Sequence, residues 1–237
     1  MTTRVVALAA AVLALSLAAP ADGLTVTTQN VRVTLGPVHA RHDIRQAAEH
    51  SSVVFTQEMG KRRARRFAPA GWGVAHFSGL RRGDCATYWD RSRWRLVRAY
   101  PFRVAHEPFR AGHRWAVVTV LRRVGHPGVR LAAVNVHLFT RTVFRRPAWR
   151  RAITRIRDVA ERLVARYPRV VMGGDWNRTW GRRATFRGFS SASPAGRTGP
   201  KGGRVDYLFW HGERFRRIRV IGHTYSDHDG TRVWLTP

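Results

Sequence analysis

Val170-Val171-Met172-Gly173-Gly174-Asp175-Trp176-Asn177 is the stretch on which the reading of this chain turns. Three apolar residues, two of them β-branched, read as a buried strand. The paired glycines let the backbone turn sharply and let another group come close. An acid and an amide then follow directly. The same pattern recurs upstream and downstream. Leu131-Ala132-Ala133-Val134 leads to Asn135 and, past Val136, to His137. Val53-Val54-Phe55 leads to Gln57-Glu58, and the alternating run from Leu24 ends near Asn30. Strand ends meeting at one edge of a sheet place side chains from distant parts of the sequence in one cleft. Ser226-Asp227-His228-Asp229-Gly230 and the isolated Asp206 complete the set.

Strands are expected at 24–31, 52–58, 85–89, 94–100, 115–122, 129–137, 170–173, 205–210 and 217–223, where β-branched residues lie between Gly and Pro punctuation. A short helix is expected over 42–50. A long one begins at Pro147 and carries Trp149, Ile153, Ile156, Ala160, Leu163, Val164 and Tyr167 at helical spacing, with Pro168 ending it. Its arginine-bearing face reads as solvated. Residues 60–66 and 178–204 read as basic loops, the second long and structureless. There is no internal repeat and no sign of a second domain, so the class is mixed α and β.

The chain has 237 residues and is 44% hydrophobic, enough for one sizeable core. Its 43 Lys and Arg against 14 Asp and Glu give a formal charge of +29. Only Lys61 and Lys201 are lysines. Codon bias accounts for the preference for arginine, but less well for the excess of positive charge, which points to a polyanionic partner. Arg4, the apolar run Val5–Ala19 and Ala19-Pro20-Ala21 read as a signal peptide over residues 1–21, with the mature domain at 22–237. Secretion, a monomer, no membrane span in the mature chain and no stable protein partner are expected. The single cysteine, Cys85, excludes an intramolecular disulfide.

Asp, Glu and Asn are oxygen donors, so the implied ion is hard: Mg2+, with Mn2+ or Ca2+ as substitutes. Scattered histidines and one cysteine disfavour zinc. Such a set suits attack of water on phosphorus, with a carboxylate or an Asp-oriented imidazole taking the proton and Asn and His donors holding phosphoryl charge. Each signal alone has an ordinary reading as a turn, cap or core residue; their conjunction in this order does not.

As a set, Gln57-Glu58, Asn135-Val136-His137-Leu138, Gly174-Asp175-Trp176-Asn177, Val205-Asp206-Tyr207-Leu208 and Ser226-Asp227-His228 resemble the endonuclease/exonuclease/phosphatase superfamily. The resemblance implies an α+β, four-layer sandwich of two packed, mostly antiparallel β-sheets flanked by helices. It implies Glu58 as principal metal ligand with Asn30 beside it and Asp227 in support. Asp175 would activate water, Asn177 would hold phosphate and that water, and His228 would be the catalytic imidazole paired with Asp206. His137 would contact the phosphate or aid the leaving group. Some members orient that imidazole with a second acid; Asp84 is the nearest candidate, though it reads first as a turn residue. Arg62, Arg63, Arg178 and Arg182 flank the expected cleft as substrate contacts, and Trp176, Trp180 and Phe186 offer stacking surface, with core packing the first reading of Trp176. The expected activity is a secreted, metal-dependent nuclease acting on DNA or RNA. The alternatives are a sphingomyelinase-like lipid phosphodiesterase, a phosphomonoesterase, or a non-catalytic basic binding protein.

Overall fold

The computed structural model describes residues 23–78, 83–107, 112–140, 146–179, 186–192, 196, 198–199 and 203–237. The expected signal peptide, Trp180 and Arg182 lie outside them. Among these residues, twelve strands form two six-stranded sheets. The first sheet contains β1 (Leu24–Asn30), β2 (Val53–Gln57), β3 (Trp72–His76), β4 (Ala86–Asp90), β11 (Arg214–Ile221) and β12 (Gly230–Thr236), in the order β11-β12-β1-β2-β4-β3. The second contains β5 (Trp94–Glu107), β6 (Gly112–Arg123), β7 (His126–His137), β8 (Arg169–Asp175), β9 (Ser190–Ala192) and β10 (Asp206–His211), in the order β5-β6-β7-β8-β10-β9. Pairing is antiparallel except at β1–β2 and β7–β8.

Period-two alternation explains the layers. Val53 and Phe55 face the second sheet and meet Val117, Leu131, Ala133, Val171 and Leu208. Val54 faces the other way, onto helix α1 (Pro37–Ala48), where Ala40, Ile44 and Ala47 are buried. On the second sheet Val170 and Met172 face outward onto helix α2 (Arg146–Val164), which buries Ala152, Ile156, Ala160 and Leu163. The stack is therefore helix, sheet, sheet, helix, the expected four-layer α+β sandwich. Arg150, Arg151, Arg155, Arg157 and Arg162 of α2 are exposed, as expected.

Several boundaries move. Helix α1 starts five residues before the expected helix, because Pro37 occupies its first turn and fixes the backbone angle needed there. Strands β3, β9 and β12 were not anticipated. β12 follows the Ser226–Gly230 motif directly, and its run lies between the two strands β11 and β1. Among the described residues of 178–204, expected to be a structureless loop, Phe186 and Phe189 are buried in the core behind β10, and β9 pairs with β10. No helix among the described residues is long and apolar enough to cross a membrane.

The two parallel pairs decide where the polar residues go. In the first sheet Asn30 lies opposite Gln57 at the ends of β1 and β2. In the second, His137 lies opposite Asp175, and Asp175 opposite Asp206. Gln57 and Asn135 then join the sheets: Gln57 Nε2 donates to Asn135 Oδ1 at 2.8 Å, and Asn135 Nδ2 donates to the Thr56 and Ala86 carbonyls. Both are fully buried, so these two members of the sequence motifs hold the sheets in register and do not face the cleft.

Candidate active site

Glu58, His137, Asp175, Asn177, Asp227 and His228 line one cavity of about 1000 Å³. Asp175 is its buried centre. The end of strand β8 that delivers it needs Gly174, which has φ 143 and lies against the Val136 carbonyl where a side chain would collide. Asp175 Oδ1 accepts the Asn177 amide N–H at 2.7 Å, and Oδ2 accepts the side-chain amides of Asn177 (3.1 Å) and Asn30 (3.0 Å). Asn177 is held with φ 51, a conformation asparagine tolerates better than most residues, and also donates to the Leu138 carbonyl.

Two imidazoles converge on the same oxygen. His137 Nε2 is 3.5 Å and His228 Nε2 3.9 Å from Asp175 Oδ2. His228 Nδ1 lies 2.9 Å from Asp206 Oδ2, which fixes the ring and leaves Nε2 toward the cleft. The loop that carries His228 is tied down at four points. Its carbonyl accepts from Gln29 Nε2 and Thr224 Oγ1, and Asp43 of α1 accepts the amides of Tyr225 and Ser226. Thr198 Oγ1 accepts the amides of Val205 and Asp206, steadying the acid.

The electrostatics separate the two histidines. Burial pulls His228 down, but the Asp206 hydrogen bond, with the charges of Asp206, Asp175 and Asp227, outweighs it and raises the pKa to about 9. His137 is held well below its ordinary value by burial, then by Arg114 and His228, and is neutral. Burial and the Asp206 charge push Asp175 up to about 7, against the opposing His228 charge and hydrogen bonds from Asn177 and Asn30. Asp206 is also raised, chiefly by burial. A cationic imidazole, a neutral imidazole and a carboxyl group that ionises near neutrality thus share one site.

Asp84 does more than turn the chain. It pairs with Arg114 and stands 3.7 Å from His137 Nδ1, and Arg114 Nη1 is 3.4 Å from that nitrogen while lying over the Phe139 ring. Arg114 was missed because nothing local distinguishes one arginine in so basic a chain. Asp43 was missed because an acid on a polar helix looks solvated, yet it is fully buried.

The donor set suits a hard divalent cation at the mouth of the cleft. Glu58 Oε1 accepts one hydrogen bond from Asn30 and Oε2 one from Val33 N–H, so each carboxylate oxygen keeps a lone pair for an ion. Asp227 lies on the same cleft, 3.8 Å from Arg32. Asn30 Nδ2 faces both Glu58 and Asp175, and its Oδ1 accepts Arg32 N–H, so Asn30 links the two carboxylates. Asp175, Asp206 and His228 also bring ligand-type atoms within 4.8 Å of one another. His228 Nδ1 there is already hydrogen-bonded to Asp206, so this trio is better described as an acid–imidazole–acid chain than as a cation cage.

The expected substrate arginines fare differently. Arg62 turns its guanidinium onto main-chain carbonyls. Arg63 is exposed and does not line the cleft. Arg178 lies over the Trp149 ring at 4.6 Å. Trp176 and Phe186 are buried in the core beneath α2 and offer no stacking surface.

No curated protein sequence matches the chain. Solved structures do match in fold. Humanized D. rerio TDP2 superposes with a TM-score of 0.70 at 15% identity, covering 92% of this chain and 100% of that one. A mannosyl-6-phosphatase from Bacteroides thetaiotaomicron gives 0.73 at 16%, covering 90% and 100%. The human Nocturnin catalytic domain with bound sulfate gives 0.63 at 14%, covering 90% and 93%. Residues 27–228 match the family described as the Endonuclease/Exonuclease/phosphatase family, a span that takes in every residue of the cleft, and the chain belongs to that family.

Proposed function

We propose that this chain is an exported, Mg2+-dependent phosphodiesterase that hydrolyses nucleic acid. The observation that carries the reaction class is the convergence of His228, oriented by Asp206, and His137 on the Asp175 carboxylate, in a cleft whose mouth holds Glu58. A bound divalent cation would neutralise phosphate charge and steady the leaving oxygen, and Glu58 and Asp227 would hold it, with Asn30 beside them. Cationic His228 presents Nε2 to a phosphoryl oxygen, and neutral His137 adds a second polar contact. Asn177 positions the phosphate and the attacking water. With His228 protonated at neutral pH, the base is Asp175: it takes a proton from water as the new P–O bond forms and the bond to the leaving group breaks.

Charge favours nucleic acid over a small phosphoester. A formal charge of +29 suits a polymer of phosphates, and one fold relative, D. rerio TDP2, is described in complex with a single-strand DNA product. The test is to incubate the protein with plasmid, RNA, sphingomyelin vesicles and a sugar phosphate, with Mg2+ or EDTA. Cleavage of nucleic acid that EDTA abolishes supports the proposal. Turnover of only the lipid or the monoester would replace it.

A further inference from the structure

We propose that Arg62 is a positioning residue for the metal site: its guanidinium clamps segment 31–35 against the turn after β2 and so sets the Glu58 carboxylate. This rests on the reading of Glu58 as a metal ligand. Arg62 Nη1 donates to the carbonyls of Val31 (3.5 Å) and Glu58 (3.2 Å). Nη2 donates to those of Arg32 (3.0 Å), Val33 (2.9 Å) and Leu35 (2.7 Å). The protons on these two nitrogens are thus shared among five acceptors drawn from two segments about 25 residues apart.

Two of those five carbonyls belong to residues in strained backbone. Arg32 has φ 35 and Glu58 φ 60, a region that neither side chain favours. Such conformations persist only where the surroundings hold them, and they gather at functional sites. Both strained residues adjoin the proposed metal site: Glu58 is itself a proposed ligand, and Arg32 Nε lies 3.8 Å from Asp227. Asn30 Oδ1 accepts Arg32 N–H while Asn30 Nδ2 donates to Glu58, and Val33 N–H donates to Glu58 Oε2. Releasing the clamp would free the Val33 amide and relax Glu58 from its left-handed conformation, and both changes displace the carboxylate. Lysine could not substitute fully, because a compact ammonium with three protons cannot span five carbonyls arranged around a planar fork.

The experiment is direct Mn2+ binding to the full-length protein without substrate, read by electron paramagnetic resonance, with hydrogen exchange of segment 31–35 measured in parallel. The proposal predicts that Arg62→Ala raises the Mn2+ Kd by about 10- to 100-fold, as loss of a group supporting a ligand typically does. It also predicts faster exchange in 31–35 and an intermediate effect for Arg62→Lys. An unchanged Kd with raised KM for DNA and a shallower salt dependence would overturn it, since Arg62 would then be a substrate contact. If Arg62→Ala fails to fold, Arg62→Lys and Arg62→Gln are read in the same way. Glu58→Gln separates the two claims. If it binds Mn2+ as tightly as wild type, the ligand assignment fails, and the clamp is judged by exchange alone: unchanged exchange in the Arg62 variants overturns it, and faster exchange upholds it.

Discussion

Asn30 and Asp175 lie 145 residues apart and on different sheets, yet Asn30 Nδ2 donates to Asp175 Oδ2 at 3.0 Å while also reaching Glu58 Oε1 at the same distance. One amide thus joins the proposed metal side of the cleft to the proposed base. Asn30→Ala removes both bonds and leaves the two acids without a shared donor. Activity should fall by more than tenfold, and the Mg2+ concentration giving half-maximal rate should rise. Titrating Mg2+ against initial rate checks this.

The Asp206–His228 pair predicts a large effect on turnover. His228→Ala removes the cationic Nε2, and kcat should fall by about 100- to 10,000-fold, the range expected for loss of a positioned acid or base. Asp206→Asn keeps the size of the side chain but removes the charge that raises His228. It should lower kcat and shift the alkaline limb of the pH profile toward neutrality. DNA affinity, measured by fluorescence anisotropy, should change little in either variant.

Stability should depend on pH in a definite direction. His228 is raised from 6.5 to about 9 on folding, so its contribution is full below pH 6.5 and is lost as pH rises through 9. Asp175 is raised from 3.8 to about 7, so the folded state also holds its proton more tightly, and that contribution disappears as pH rises through 7. His137 has the opposite sign, but it is lowered from 6.5 and acts only on the acid side of that value. The EDTA-treated protein should therefore lose melting temperature steadily from pH 6.5 to pH 9, as read by calorimetry.

The link between the sheets is a stability prediction. Asn135→Ala leaves Gln57 Nε2 with one acceptor fewer and leaves the Thr56 and Ala86 carbonyls without the Asn135 amide, deep in the structure. It should cost about 1–3 kcal/mol for each group left unsatisfied. Urea denaturation should show a lower midpoint with an unchanged m-value.

Much of this site was legible because polar residues interrupt apolar runs at strand ends, and the parallel pairings bring those ends together. Glu58, His137, Asp175 and Asn177 reach one cleft for that reason, the antiparallel β8–β10 pair sets Asp206 behind them opposite Asp175, and His228 enters from the loop before β12. The groups that fix their positions were hidden, since their roles depend on tertiary contacts. Asp43 lies on a helix and meets Tyr225 and Ser226 only after folding. Arg62 sits in a basic run that reads as a substrate contact, and its main-chain partners are set only by the fold. Strand β12 escaped notice because it begins where the His228 motif ends, and β3 because Trp72-Gly73-Val74-Ala75-His76 is only partly apolar.

Hydrolysis of nucleic acid in the cleft centred on Asp175 should require both His228 and a divalent cation. The most direct measurement is plasmid cleavage by the purified wild type and by His228→Ala, each with Mg2+ and with EDTA. The wild type should cleave with Mg2+, and neither the variant nor the EDTA-treated protein should cleave above background. Cleavage that persists in EDTA, or in His228→Ala at the wild-type rate, would contradict it.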